Sequence, residues 1–251
     1  MKNRYTKFKD LTKNQKIFRI VNLSLMLAMF LACIGLIIYY ALGHDPDGKR
    51  LLGTIVILVA CVLPFLLEII FRFRFNSVIF LGYEIYLAVA GLFGSACNGY
   101  ALLPWFDTPV HVLMGYVMAM LGIFVIARLG KYKSFSPWLV AVFCVCFSLG
   151  IEVVWEISEW IIDRVIGTTM QGHLVEPYNL PLLWDTIKDL MCNFGGAMLF
   201  FLHYVLGKKT KLNLGIPAIE TELSINKMTK QEEQNSIETE NNSKDNETLE
   251  K

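Results

Sequence analysis

Charge is scarce in this sequence. Only 18% of its 251 residues are Asp, Glu, Lys or Arg, and they sum to +1 with histidine neutral. A chain with no dominant sign lacks the field that draws nucleic acid, so none is expected as a partner. A soluble domain of this length would also carry far more polar surface. Cys-x-x-Cys spacing is missing too. The six cysteines (Cys33, Cys61, Cys97, Cys144, Cys146 and Cys192) all lie inside apolar runs. That excludes a zinc ribbon and a disulfide framework and leaves them as small packing residues. No internal repeat stands out.

What the sequence does have is length in its apolar runs, 55% of it being hydrophobic. Six runs are long enough to cross a hydrocarbon core of about 30 Å as helices. They cover about 17–42, 51–71, 77–100, 108–129, 137–162 and 185–206. Helices are the form expected, because in lipid every backbone group must bond within its own segment. The first run, at about 25 residues, exceeds the h-region of a secretory signal and reads as an uncleaved span. The fold class expected is therefore all-α, a polytopic integral membrane bundle of about six helices.

Orientation follows from lysine and arginine in the short loops. Lys2, Arg4, Lys7, Lys9, Lys13, Lys16 and Arg19 precede or open the first span. Arg72 and Arg74, then Arg128, Lys131 and Lys133, then Lys208, Lys209 and Lys211 fall on the same side. The other side has only Lys49, Arg50 and Arg164. Both termini are expected in the cytoplasm, with the protein in a bacterial plasma membrane. Three regions result: a basic cytoplasmic segment at 1–16, the membrane domain at 17–206, and a tail at 207–251. From about Asn213 the tail has few aliphatics and no aromatics, so it is expected to be disordered.

Against this apolar background one stretch stands out. IEVVWEISEW, residues 151–160, carries Glu152, Glu156 and Glu159 near the end of the fifth span, with Asp163 just beyond. At about 100° per residue all four fall within a stripe roughly 60° wide. On the fourth span Asp107 and His111 are four apart, and Gly115 continues their row. On the sixth, Asp185, Asp189 and Asn193 are spaced by four. The fourth and sixth spans begin outside and the fifth ends there, so all three polar faces lie at the outer depth. They are expected to line one outward-facing pocket. Glu68 is expected to pair with Arg72, four residues on, and Glu84 with Arg72 or Arg74. Asp107 and Asp185 are also placed to cap their helices. Trp105, Trp155, Trp160 and Trp184 suit an interfacial aromatic belt.

Ionisable groups at membrane depth are costly and mark functional paths. Seven carboxylates face few cations: Arg164, Lys188, His111 and His173. Crowded carboxylates need protons or a cation among them. Hard oxygen ligands with one imidazole suit magnesium, manganese or zinc. The ligands and reacting groups expected are Asp107, His111, Glu156 and Asp189. Glu152, Glu159, Asp185, Asn193 and Gln171 are expected to contact the substrate.

Four motifs carry a likeness to known proteins. These are D-x3-H-x3-G from Asp107, E-x3-E-x2-E-W from Glu152, Gln171-Gly172, and W-D-x3-D-x3-N-x2-G-A from Trp184. Together, over about 105–206, they resemble the YjdF-like inner-membrane family. The resemblance implies a compact helical membrane protein and specifies no chemistry. The chain departs from that pattern in about eleven residues, His173 to Leu183, between the Gln-Gly and Trp-Asp pairs. It is also similar to VanZ-like proteins, with an Asp and His opening one span and Asp-x3-Asn on another; this implies an envelope-related role. Three readings stay open. The chain is an intramembrane enzyme acting on a lipid or envelope headgroup through a divalent metal, a small proton- or cation-coupled carrier, or a non-catalytic envelope factor. Membrane lipids are the partners expected in each.

Overall fold

A computed structural model gives the architecture and describes residues 11–71, 74–128, 135–171 and 181–207. The basic residues Lys2 to Lys9, Arg72, Lys131, Lys133, His173 and the expected tail beyond Gly207 lie outside the described residues. Among those described, every regular element is helical. Helix α1 (Lys13–Tyr39) runs on as a π-type turn at Tyr40–His44. Helix α2 covers Lys49–Ile70. Helix α3 (Ser77–Tyr86) continues with π-type winding through Leu87–Ala96. A four-residue helix α4, Gly99–Leu102, precedes α5 (Asp107–Arg128). Helices α6 (Pro137–Ile166) and α7 (Pro181–Gly207) complete the chain. Six of these are long and apolar enough to cross a membrane, and the protein is a six-span helical bundle.

The helix ends follow local chemistry. Thr12 and Gln15 form a reciprocal capping box at α1. Asn76 caps α3 and Ser136 caps α6, with Pro137 at its first turn. Helix α6 stops at Gly167, which has φ +72°, and its N–H donates to the Asp163 carbonyl at 3.0 Å. The spans differ from the sequence expectation mainly at the last helix. Pro181 opens α7 instead of breaking the chain, because proline costs nothing where the first N–H groups have no partner. Asp185 is therefore a residue of the second turn and not a cap.

Helices α5, α6 and α7 form the tightest part of the bundle. The α5 span is 61% buried, against 22–33% for the other five, so α5 is the central post. Its inner half packs Ala119, Met120, Ile123 and Phe124 against Val140, Ala141 and Cys144 of α6 and Ala197 and Phe200 of α7. Helices α1, α2 and α3 form a second cluster around Met26, Cys33, Ile57, Cys61 and Phe80. Their outer faces are exposed apolar surface, as at Leu31, Val59 and Ile69, suited to lipid.

One buried ion pair ties that second cluster together. The Arg19 guanidinium donates to the Glu68 carboxylate at 2.6 Å, and the other Glu68 oxygen accepts the Phe75 N–H at 2.9 Å. Helix α1 thus brings a guanidinium against both α2 and the Phe80 ring; the expected local pairing of Glu68 with Arg72 lies outside the described residues. Glu84 is buried, and neither carboxylate oxygen has a hydrogen-bond partner among the described residues; the expected bond to Arg74 is not made.

Close approach of α5 and α7 depends on two glycines. A Cβ at Gly115 would stand 2.0 Å from the Asn193 carbonyl oxygen, and one at Gly196 would stand 1.9 Å from that of Val112. Gly195 has nothing within 4 Å. Gly196→Ala or Gly115→Ala is therefore expected to lower stability by at least ~1–3 kcal/mol, while Gly195→Ala, in open space within the helix, is expected to leave it no lower. Thermal unfolding of the three variants in detergent checks this; equal melting of Gly195→Ala and Gly196→Ala refutes the crossing.

Candidate functional site

The polar faces of α5, α6 and α7 meet at one end of the bundle. Repeats of four residues put Asp107 and His111 on one row of α5, and Asp185, Asp189 and Asn193 on one row of α7. The glycine crossing brings these rows within side-chain reach of each other. Helix α6 supplies the third wall, with Ser148, Glu152, Glu156 and Glu159 all buried.

A hydrogen-bonded chain links the three helices. The Ser148 hydroxyl lies 3.0 Å from both the Gly115 carbonyl and Asn193 Oδ1. Asn193 Nδ2 donates to Glu152 Oε2 at 2.7 Å. The other Glu152 oxygen, Oε1, is hydrogen-bonded to His111 Nδ1. Across the ring, His111 Nε2 faces Asp107 Oδ1 at 3.2 Å and Asp189 Oδ1 at 3.9 Å. Lys188 closes the chain. Its ammonium donates to Asp107 Oδ2 at 3.0 Å and Asp185 Oδ1 at 2.7 Å, and lies 3.4 Å from Asp189 Oδ1.

The arrangement is nearly closed to solvent. Glu152 and Asn193 are 0% exposed, Asp189 1% and His111 3%. The helix starts of α5 and α7 both point toward this end, and the positive dipole end of α5 favours Asp107 in its first turn. Six carboxylates (Asp107, Glu152, Glu156, Glu159, Asp185 and Asp189) share two basic side chains, His111 and Lys188. Two buried oxygens, Glu156 Oε1 and Asp189 Oδ1, have no hydrogen-bond partner among the described residues.

Two groups of side chains offer atoms within 4.8 Å of one another that could hold a metal ion. One is Asp107, His111 and Asp189; the other is His111, Glu152 and Glu156. The second group would have to give up the His111–Glu152 hydrogen bond, whereas the first keeps it. That bond fixes the ring and leaves Nε2 as the ligand atom, the usual carboxylate–histidine support of a metal site.

Not every residue of the sequence ladder enters the pocket. Asp163, although in register with Glu152, folds into the chain turn after α6. It accepts from the Thr168 hydroxyl at 2.5 Å, the Met170 N–H at 2.9 Å and the Gln171 N–H at 3.0 Å. This turn delivers Gln171 over the pocket, where Nε2 donates to the Glu156 carbonyl at 3.3 Å and the Thr186 hydroxyl at 3.4 Å. Arg164 stays outside with its guanidinium 5.8 Å from the Trp160 ring. Asp107 is the first residue of α5, and its carboxylate goes to His111 and Lys188 instead of capping. Sequence reasoning passed over Ser148 and Thr186, because an isolated hydroxyl in an apolar span carries no periodic signal. His203 pairs with the Tyr116 hydroxyl at 2.5 Å, away from the cluster.

The motifs, their order and this helical setting have a counterpart among protein families. The chain belongs to the family described as "Predicted membrane protein (DUF2238)". The match covers residues 21–209, so it takes in five spans whole, most of the first, and every pocket residue. The YjdF-like proteins belong to the same family, in keeping with the resemblance of the motifs. No curated protein and no solved structure matches the chain.

Asn193 is the hinge of the network, since it serves Ser148 and Glu152 together. Asn193→Ala is expected to destabilise the protein by ~1–3 kcal/mol, because Glu152 Oε2 stays buried without its donor while Ser148 keeps only its bond to the Gly115 carbonyl. Ser148→Ala, which removes a donor and leaves Asn193 bonded to Glu152, is expected to cost less. Paired melting curves of the two variants measure this order; the reverse order contradicts the network.

Proposed function

We propose that this membrane protein binds a divalent cation between Asp107, His111 and Asp189, and that the pocket around it takes a lipid or envelope headgroup on the outer face of the plasma membrane. One observation carries the reading. With Nδ1 held by Glu152, the Nε2 atom of a neutral His111 is an acceptor pointing at two more acceptors, Asp107 Oδ1 and Asp189 Oδ1. Three converging lone pairs call for positive charge between them. Neighbouring ligands around a magnesium, manganese or zinc ion stand roughly 3 Å apart. The 3.2 Å separation of His111 and Asp107 fits this, and Asp189 needs to close in by a fraction of an ångström.

Lys188 meets this place from one side only. Its ammonium bonds to the other oxygen of Asp107 and to Asp185, and at 3.4 Å it also stands by Asp189 Oδ1, so an ion would share that one oxygen with it. Three protein ligands leave further coordination positions for water or for an oxygen of a bound headgroup. The outward orientation is supported by the lysine and arginine pattern of the loops. The envelope setting is supported by the resemblance to VanZ-like proteins.

A second reading rests on the same convergence. An imidazolium at His111 would donate its Nε2 proton to Asp107 and serve as the cation itself, as a proton-coupled carrier would need. Elemental mass spectrometry on the purified full chain separates the two, after equilibration with magnesium, manganese or zinc and removal of excess. About one ion per chain is expected in the wild type, and a loss of more than ten-fold in occupancy is expected in His111→Ala and Asp189→Asn. A wild-type protein that holds none of the three metals overturns the cation site and leaves the proton reading.

A further inference from the structure

Beside the ion ligands, helices α6 and α7 leave a cavity of about 310 Å³. It is lined by Glu156, Ile157, Trp160, Gln171, Leu183 and Thr186. Its rim is exposed: Ile157 is 53%, Trp160 51% and Leu183 66% accessible. On a membrane bundle such a surface faces lipid. Its depth is set by Trp105, Trp160 and Trp184, whose exposed rings suit the level of the headgroups. The cavity is thus a side entrance from the outer headgroup layer, separate from the Asp107–His111–Asp189 ligands.

The wall of this entrance is apolar and its floor is acidic. Glu156 is 5% exposed, and its Oε1 has no hydrogen-bond partner. Among the described residues, Glu156 and Glu159 have no basic side chain within ion-pair distance, since Lys188 and His111 are taken by Asp107, Asp185 and Glu152. A buried carboxylate with one oxygen unmatched favours a guest that brings a cationic donor. Among the described residues no basic side chain lines the cavity, and its acidic floor disfavours a phosphate there. At the rim, though, Arg164 is exposed and stands over the Trp160 ring at 5.8 Å. The order from inside to outside is carboxylate, apolar wall and guanidinium.

We infer that the groove between α6 and α7 binds a phospholipid with a primary ammonium headgroup. The ammonium turns inward to the Glu156 carboxylate, the phosphate stays at the rim by Arg164, and the acyl chains pass between Leu183 and Ile157 and run on along the exposed apolar face at Val154. Gln171 and Thr186 complete the floor with an amide and a hydroxyl. This deepens, and rests on, the reading of the pocket as a headgroup site, and it assigns Glu156 to the headgroup and not to the ion.

The test is native mass spectrometry of the delipidated full chain with added phosphatidylethanolamine or phosphatidylglycerol of the same acyl chains. The wild type is expected to retain the ethanolamine lipid roughly ten-fold better, the scale of one charged hydrogen bond. Glu156→Gln is expected to bring that ratio to about one. Leu183→Trp, which fills the groove, is expected to abolish retention of the ethanolamine lipid while the metal content stays as in the wild type. Equal retention of the two lipids by the wild type overturns the inference and needs no variant to fold. So does a Glu156→Gln protein that keeps the preference. Free phosphoethanolamine is the second probe: if it displaces the lipid at equal concentration, a soluble headgroup and not a lipid is the guest, and the lipid assignment falls. If the wild type takes up none of the three metals after equilibration and still prefers the ethanolamine lipid, the cation site falls and the groove stands.

Discussion

Helices α5 and α7 cross with their backbones nearly in contact at Gly115 and Gly196, and the placement of the polar groups depends on that crossing. Inside a membrane, lipid competes on equal terms for apolar side chains, so helix association rests on close packing and interhelical hydrogen bonds. Two glycines remove the side chains that would hold the axes apart. Asn193 then reaches Glu152 on α6, and Asp189 comes to stand across from His111 on α5. A methyl group at either glycine would meet a carbonyl oxygen inside 2.1 Å of its ideal place. The pocket would then open before any of its own residues changed.

Burying this many polar groups is expensive, and the fold meets the cost by linking them. Ser148, Asn193, Glu152, His111, Asp107, Lys188 and Asp185 each bond to the next, across three helices. Such a network fixes one arrangement of the helices when it is fully satisfied and penalises any other. It stops short of full satisfaction at Glu156 and Asp189. The two unmet oxygens belong to different places, one at the convergence on His111 and one on the floor of the lateral groove. Stability alone would have favoured apolar residues at both. Their retention fits binding, which draws on groups left unmatched by the fold itself.

The rest of the bundle acts as a brace. Arg19 and Glu68 pin α1 to α2, and Phe75 ties the start of α3 to the same carboxylate. Lys49, at the start of α2, donates to the Gly167 carbonyl at 2.8 Å, holding the end of α6 just before the Asp163 turn. That turn depends on Asp163 accepting three hydrogen bonds, and it places Gln171 over Glu156. A residue that shares the face of the carboxylate ladder thus acts through the loop instead of through the pocket.

The six spans, the helical class and the membrane setting are legible in the sequence, because a hydrocarbon core some 30 Å thick leaves long apolar helices as the one form these runs can take. The rows Asp107–His111 and Asp185–Asp189–Asn193 are legible for a similar reason: four-residue spacing fixes a helix face whatever the helix packs against. What the sequence could not decide is which atoms meet. A partner of Glu68 lies 49 residues away on α1, and no spacing within α2 points to it. Asp163 and Glu159 look equivalent on the helical wheel, yet α6 ends at Gly167, so one is drawn into a turn and the other stays buried in the bundle. Ser148 gains its place only through Gly115 and Asn193 on two other helices. Periodicity is a property of one helix and can be read from its residues alone; the convergence of Nε2 with two aspartate oxygens is a property of three helices, set by how closely their backbones pass.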